Sequence, residues 1–404
     1  MSDINEGRTY RVRLKENAEP IMFSNAVKLF SLNGFDIKVD SSWLIIASLI
    51  TWSLSQQYFP NVLPNAPNAT YLLMALLGML GLFASLLLHE LAHSLVARHL
   101  GVPIKSITLF IFGGMAELGK EPTSPRDEIW IAMAGPVMSF CLSFSFWTIA
   151  QAAWLGSVGK APFEVLNYLA LMNMMLALFN LLPAFPLDGG RVLRAYLWHR
   201  NGDVLKATQT AAQSGAIFAY VLMAIGIAAL FQGALVAGLW QLMLGGFVLI
   251  AARSSYTTQL AHVAFEGKTV GALMTRDPIT VGPEKTLSEF VNQVMLRHNV
   301  SFVPVVENNV LLGHIDQSVL TGIDRENWGN TLIGDIFFGL DQNAMIASDF
   351  PIPDLLEIVA KTGRRKFMVV LDHQLLGVIT IADLTHFLNL SDQASHSQSR
   401  AQKP

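Results

Sequence analysis

The 404 residues are 52% hydrophobic and only 14% charged, against about 25% charged in an ordinary soluble protein. That shortfall, with several long apolar runs, marks an integral membrane protein and excludes a purely soluble one. A net charge of −3 without a basic cluster argues against nucleic acid, and the single cysteine, Cys141, excludes an intramolecular disulfide. Cys141 sits in an apolar run and reads as a small buried hydrophobe.

The chain opens on a polar, basic stretch, EGRTYRVRLK, with no cleavable signal peptide. Residues 1–40 form a cytoplasmic segment whose end, KLFSLNGFDIKVD, predicts a β-hairpin turned at Asn33–Gly34. A membrane domain over 41–256 follows, with six apolar runs at about 42–58, 71–97, 129–155, 163–182, 211–231 and 234–252. Each is near the roughly 20 residues a bilayer requires. Lys and Arg concentrate in residues 1–41, 98–128 and 190–210, while the alternate connections hold only Lys160. The positive-inside rule therefore places both termini in the cytoplasm of a multi-pass cell-membrane protein.

Within the second run lies LLLHELAHSLVA, residues 86–97. On a helix, positions i and i+4 share a face, so His89 and His93 point the same way. Two imidazoles one turn apart are a metal-binding pair, and the intervening Glu90 is placed to act as a general base. A hydrolytic zinc needs a third protein ligand. His99 lies on the same helix, about one and a half turns from a metal held at His89 and His93, while His199, His262, His298, His314, His373, His386 and His396 fall in loops or in the soluble part. Asp188 lies in NLLPAFPLDGGR, residues 180–191, where Pro183 and Pro186 break the fourth run. Broken backbone at membrane depth is tolerated where it lines a cavity, which favours Asp188 as the ligand. The alternative is a turn leaving the bilayer, with Asp188 capping the next helix. Residues 102–118, VPIKSITLFIFGGMAEL, predict one or two strands at the membrane face. They serve either as a structural hairpin or as an edge that pairs with an unwound substrate.

HELAH at 89–93 and NLLPAFPLDGGR at 180–191, on separate spans in that order, resemble the site-2 protease family of intramembrane zinc metalloproteases. The resemblance covers about residues 25–255. It implies His89, His93 and Asp188 as zinc ligands and Glu90 as the acid/base that activates the attacking water. It also implies Asn180 as a polar group near the metal that helps hold the scissile carbonyl. FGGMAEL at 112–118 looks like the family's membrane-embedded strand, and AGPVMS at 134–139 like its small-residue helix start. Ser139 stands where relatives often carry Asn.

Residues 260–322 and 332–390 read as two copies of one βαβ-type unit, with FVPVV and LLGHI in the first matched by FMVVL and LLGVI in the second. They resemble a tandem of cystathionine-β-synthase-type (CBS) domains. The resemblance implies a homodimerising module that often binds adenine nucleotides. Thr380 and Asp383 occupy the nucleotide-contacting positions of the second copy; the first has Asp316 and Val319 there. The alternative for Asp383 is a helix cap. The tail 391–404 is polar and reads as disordered.

The expected fold is thus a polytopic α-helical membrane domain with six transmembrane helices and a small membrane-face β element, followed by a soluble α/β CBS tandem. The expected function is a zinc endopeptidase cutting in or near a transmembrane segment, regulated by the CBS pair. Its substrates would be an anti-sigma factor, a membrane-tethered transcription regulator or a signal-peptide remnant. A CBS-regulated transporter or channel, or a catalytically silent scaffold, are the competing readings. The spans show no inverted repeat, and Glu90 is intact.

Overall fold

The structure, a computed structural model, describes residues 26–401 apart from Asn33, Phe112, Gly119, Lys120, Val158 and His373. Residues 1–25 of the expected N-terminal segment, Phe112 of FGGMAEL, His373 and the last three residues lie outside the described residues. The chain divides into two units, 25–259 and 260–404.

In the first unit, strands β1 (Val27–Leu32) and β2 (Phe35–Val39) pair antiparallel around Gly34, whose φ of +84° suits a residue without a side chain. Strands β3 (Ile104–Phe110) and β4 (Gly113–Leu118) complete a sheet of order β1-β2-β3-β4, with β2 and β3 parallel. Among the described residues β4 is one of its two edge strands.

The helices are α1 (Trp43–Ser53), α2 (Asn68–His99), α3 (Pro125–Leu155), α4 (Lys160–Asn180), α5 (Asp188–Asn201), α6 (Val204–Phe231) and α7 (Leu235–Phe265). Five of them, α2, α3, α4, α6 and α7, are long and apolar enough to cross a membrane. The first expected span behaves differently. α1 passes into a π turn at Leu54–Tyr58 and a last short turn at Phe59–Val62. Its polar Ser55, Gln56 and Gln57 fall in that π turn, and this interrupted run is not one of the five described helices long and apolar enough to cross a membrane.

Helix packing follows the usual membrane logic of small residues inside and apolar residues outside. On α2 the buried residues recur at three- and four-residue steps, from Tyr71, Met74, Ala75 and Gly78 down to Ser85, His89 and His93, while Leu72, Leu73, Leu76 and Leu80 face outward. α3 buries Ala132, Gly135, Ser139 and Ser143, and α6 buries Ala211, Ala212, Gly215 and Ala219. One turn before His89, Ser85 accepts a hydrogen bond from the buried Asn173 amide of α4 (3.0 Å). The sheet packs on α2 through Phe35, Ile37 and Ile107 against Leu87 and Leu91, and Arg98 lies 4.3 Å above the Phe35 ring.

Two helix boundaries differ from expectation. AGPVMS at 134–139 lies inside α3 rather than at its start, because Ser124 already caps the helix by accepting the Asp127 amide (3.2 Å). The final helix of the chain, Ile381–Ala401, extends through most of the tail expected to be disordered. No Gly or Pro interrupts residues 381–401, so nothing in that stretch stops the helix.

The second unit contains strands β5 (Thr275–Arg276), β6 (Phe302–Glu307), β7 (Val310–Asp316), β8 (Phe338–Gly339), β9 (Met345–Ile346), β10 (Lys366–Leu371) and β11 (Gln374–Thr380), with α8 (Ile352–Thr362) and α9 (Ile381–Ala401). The strands form two sheets, β5-β11-β10-β9 and β6-β7-β8. The two copies exchange their opening strands. β5 precedes the first copy's hairpin but pairs with β11 of the second, and β8 opens the second copy but pairs with β7 of the first. Their cores follow suit: Val270 packs with Ile352, Leu355 and Phe367, and Ile333 packs with Phe290, Val303 and Ile315. Each copy's opening segment thus packs into the core of the other copy.

Candidate metal centre

α2 brings His89 and His93 onto one buried face, and the broken end of α4 delivers the third group. Helix α4 stops at Asn180, the chain turns through 181–187 with a cis Phe185–Pro186 bond, and α5 begins at Asp188. The turn is held from several sides. Phe185 packs with Ala211, Ala212 and Ala252, and the Ser214 hydroxyl donates to the Pro183 carbonyl. A Cβ on Gly189 would lie 2.3 Å from the Leu181 carbonyl oxygen, so the start of α5 can press on the turn only with glycine there.

The result is a compact donor triangle. His89 Nε2 lies 3.2 Å from His93 Nε2 and 3.2 Å from Asp188 Oδ2, and His93 Nε2 lies 3.3 Å from the same oxygen. A tetrahedral ion with bonds of about 2.0 Å separates its ligands by about 3.3 Å. Two imidazole nitrogens and one carboxylate oxygen at that spacing therefore fit a catalytic zinc with a fourth position open. Among the described residues these three are the group of His, Cys, Asp or Glu side chains placed to hold a metal ion. His99, at the far end of α2, is not among them.

The imidazoles are oriented by what their other nitrogens meet. His93 Nδ1 lies 2.6 Å from the Ile131 carbonyl oxygen, which can only accept. That fixes the proton on Nδ1 and leaves the Nε2 lone pair free for a metal. His89 Nδ1 lies 2.8 Å from Ser139 Oγ and donates to it when Nε2 serves as a ligand. Between these two partners, on the same stripe of α3, stands Gly135: a Cβ there would come within 2.1 Å of His93 Nε2 and 2.5 Å of His89 Nε2. Gly135 and Ser139 belong to the AGPVMS segment, in which Ser139 alone is expected as a polar position, and Ile131 belongs to no motif. Their i, i+4, i+8 spacing on a span adjacent to HELAH is the signal that marks them.

Glu90 follows His89 directly and lies against β4. A Cβ on Gly114 would approach Glu90 Cγ to 2.5 Å and its Oε1 to 2.9 Å, so the strand passes close over the carboxylate. Asn180 is half-buried at the last residue of α4, across the turn from Asp188.

The CBS-like positions show a different pattern. Thr380 N and Oγ1 both donate to Asp383 Oδ2 (2.8 Å each), and the Asp383 amide returns a bond to Thr380 Oγ1 (3.3 Å). This reciprocal arrangement caps α9. In the first copy Asp316 instead accepts from the Ser318 amide (2.8 Å), and in the second copy Arg364 pairs with Asp341.

The family model described as Peptidase family M50 matches residues 77–162 and 156–225, and the CBS domain model matches 270–320 and 334–390. Rip3 of Mycobacterium tuberculosis, which carries a zinc metalloprotease name, is 35% identical over 368 residues, covering 91% of this chain and 93% of its own. Zinc metalloprotease MJ0392 of Methanocaldococcus jannaschii is 30% identical, covering 90% and 96%. The solved site-2 protease from Methanocaldococcus jannaschii aligns with 57% of this chain and 95% of its own at 29% identity and a TM-score of 0.41. The chain belongs to peptidase family M50, the site-2 proteases. It is a zinc metalloprotease whose helical membrane domain is followed by a tandem of CBS domains.

Proposed function

We propose that this enzyme hydrolyses a peptide bond in or near the transmembrane segment of a membrane protein, with His89, His93 and Asp188 as the zinc ligands and Glu90 as the acid/base. The observation that carries the reading is the donor triangle of 3.2–3.3 Å edges, set in a bundle whose outward faces are apolar. In this reading the helical run from α1 through Val62 acts as a sixth span, and both termini are cytoplasmic as the Lys/Arg distribution indicates.

Held by His89, His93 and Asp188, a zinc ion would supply Lewis-acid polarisation of the scissile carbonyl and would lower the pKa of water toward neutral. Glu90 takes a proton from the attacking water and passes it to the leaving amine. A helical substrate keeps its amides hydrogen-bonded, so it must unwind to present one. The edge strand β4 beside Glu90 offers the backbone partners that an extended segment would need. Asn180, at the end of α4 just before the turn that leads to Asp188, serves to hold the carbonyl or its oxyanion.

The CBS tandem regulates this activity and joins two copies into a homodimer. It takes an adenine nucleotide at the second copy, with Thr380 and Asp383 as contacts. Helix α7, which leads toward the tandem, holds Gln259 near Arg194 of α5 (3.5 Å), a route by which the helix can bear on the metal site. Substrates fitting this chemistry are a membrane-tethered transcription regulator, an anti-sigma factor or a signal-peptide remnant.

Purified enzyme in detergent, mixed with a panel of single-span reporters bearing helix breakers, should release cut products, and Glu90→Gln should release none. Cleavage persisting in Glu90→Gln would refute the assignment.

A further inference from the structure

We propose that Glu128 and Arg194 are positioning residues: their buried ion pair sets how closely Asp188 approaches His89 and His93. The proposal rests on the reading of those three as zinc ligands.

One stripe of α3 carries Glu128, Ile131, Gly135 and Ser139, at helical steps of three and four. The last three orient or clear the imidazoles, as described above. Glu128, at the start of the stripe, points at α5 instead. Its side chain has no solvent exposure, and that of Arg194 only 8%. Arg194 Nε donates to Glu128 Oε1 at 2.6 Å, and a second guanidinium nitrogen contacts the same oxygen. The third nitrogen lies 3.5 Å from both Glu121 Oε2 and Gln259 Oε1. Arg191, one turn nearer the metal site, brings Nε to 4.0 Å from Glu128 Oε1. The Arg194 guanidinium also lies 5.6 Å from the centre of the Phe185 ring, in the turn that delivers Asp188.

Helix α5 is thus fixed to the α2–α3 face at two points, Asp188 and Arg194. Six residues separate them, about 9 Å along the axis. A helix held at one end pivots at the other: a tilt of about 10° about Arg194 would move Asp188 by about 1.5 Å. Zinc bonds tolerate about 0.2 Å. The second attachment point therefore decides whether the third ligand falls within bonding range.

The cost of the pair favours a positioning role over a stabilising one. Glu128 Oε2 is buried with no hydrogen-bond partner among the described residues, and buried ion pairs are commonly no better for stability than apolar side chains of the same size. Their best attested use is to fix register.

The test is the zinc dissociation constant of full-length Glu128→Gln and Arg194→Lys in detergent, by chelator competition, beside the visible spectrum of the Co2+-loaded proteins. Gln keeps the shape without the charge; Lys keeps the charge without the fork. Both variants should run as wild type on size exclusion, bind zinc about 10- to 100-fold more weakly, and lose intensity in the tetrahedral Co2+ bands. Folded variants with wild-type affinity and spectrum would overturn the proposal. So would unfolding of both variants in zinc-free and zinc-replete detergent alike, which would make the pair purely structural. If His89→Ala leaves zinc affinity unchanged in an otherwise wild-type chain, the ligand assignment itself fails, whatever the pair does.

Discussion

A side-chain carbon at Gly135 would lie 2.1 Å from Nε2 of His93, in the space the ligand lone pair needs. Gly135 is therefore a requirement of the metal site although it offers no donor atom. Gly135→Ala must push α3 away from α2 or turn the imidazoles, and either breaks the donor triangle. The purified variant should contain less than about a tenth of the wild-type zinc, since metal–ligand distances tolerate only about 0.2 Å. Metal analysis beside a size-exclusion profile checks this.

Ser139 has a milder role. Its hydroxyl accepts the Nδ1 proton of His89 at 2.8 Å and so holds the ring with Nε2 toward the metal. Ser139→Ala removes that acceptor without adding bulk. Zinc affinity should fall about 10- to 100-fold, the usual effect of losing an outer partner of a ligand. Ser139→Asn, which keeps an acceptor, should lose less. Zinc competition titrations of the two variants give the comparison.

Gly114 separates catalysis from metal binding. The three atoms nearest a methyl group there all belong to Glu90. Gly114→Ala should retain a full complement of zinc while kcat on a cleavable reporter falls about 100-fold, as expected for displacing a reacting group by about 1 Å.

Much of the site was readable from residue types. The i, i+4 histidines, the intervening acid and the double proline before Asp188 each leave a mark in sequence, because each works through residue identity. Ile131 left none: it contributes a backbone carbonyl, which any residue carries. Gly135 and Gly114 act by what they lack. Glu128 and Arg194 are 66 residues apart and meet only through the packing of α3 on α5. The strand exchange in the CBS tandem was hidden for a similar reason. β5 and β8 are two residues each, and their partners are set by long-range packing rather than by local pattern. In the first span, apolar composition was legible, but the π turn over Leu54–Tyr58 was not.

The CBS tandem should lose stability in mild acid. His314 is sandwiched between Phe302 and Phe338, with ring centroids 4.9 and 5.4 Å away. Burial disfavours its charged form and holds its pKa below the usual histidine range, with Asp316 and Asp341 opposing and Arg364 and Lys366 assisting. The unfolded chain therefore takes up a proton at higher pH than the folded one. The stabilising effect is complete above the unfolded pKa of about 6.5 and declines as pH falls through the window below it. The protection of β6 and β7 against hydrogen exchange in the full-length protein, corrected for the intrinsic exchange rate at each pH, should fall as pH drops below about 6.5. His314→Phe should flatten that dependence.

The central claim is that His89, His93 and Asp188 jointly hold one zinc while Glu90 does chemistry beside it. Zinc stoichiometry of purified wild type, His89→Ala, Asp188→Ala and Glu90→Gln tests it most directly. The account predicts one zinc per chain in wild type and in Glu90→Gln, and loss of zinc in the two ligand variants with the fold retained. Full zinc in folded Asp188→Ala, or none in metal-replete wild type, would contradict it.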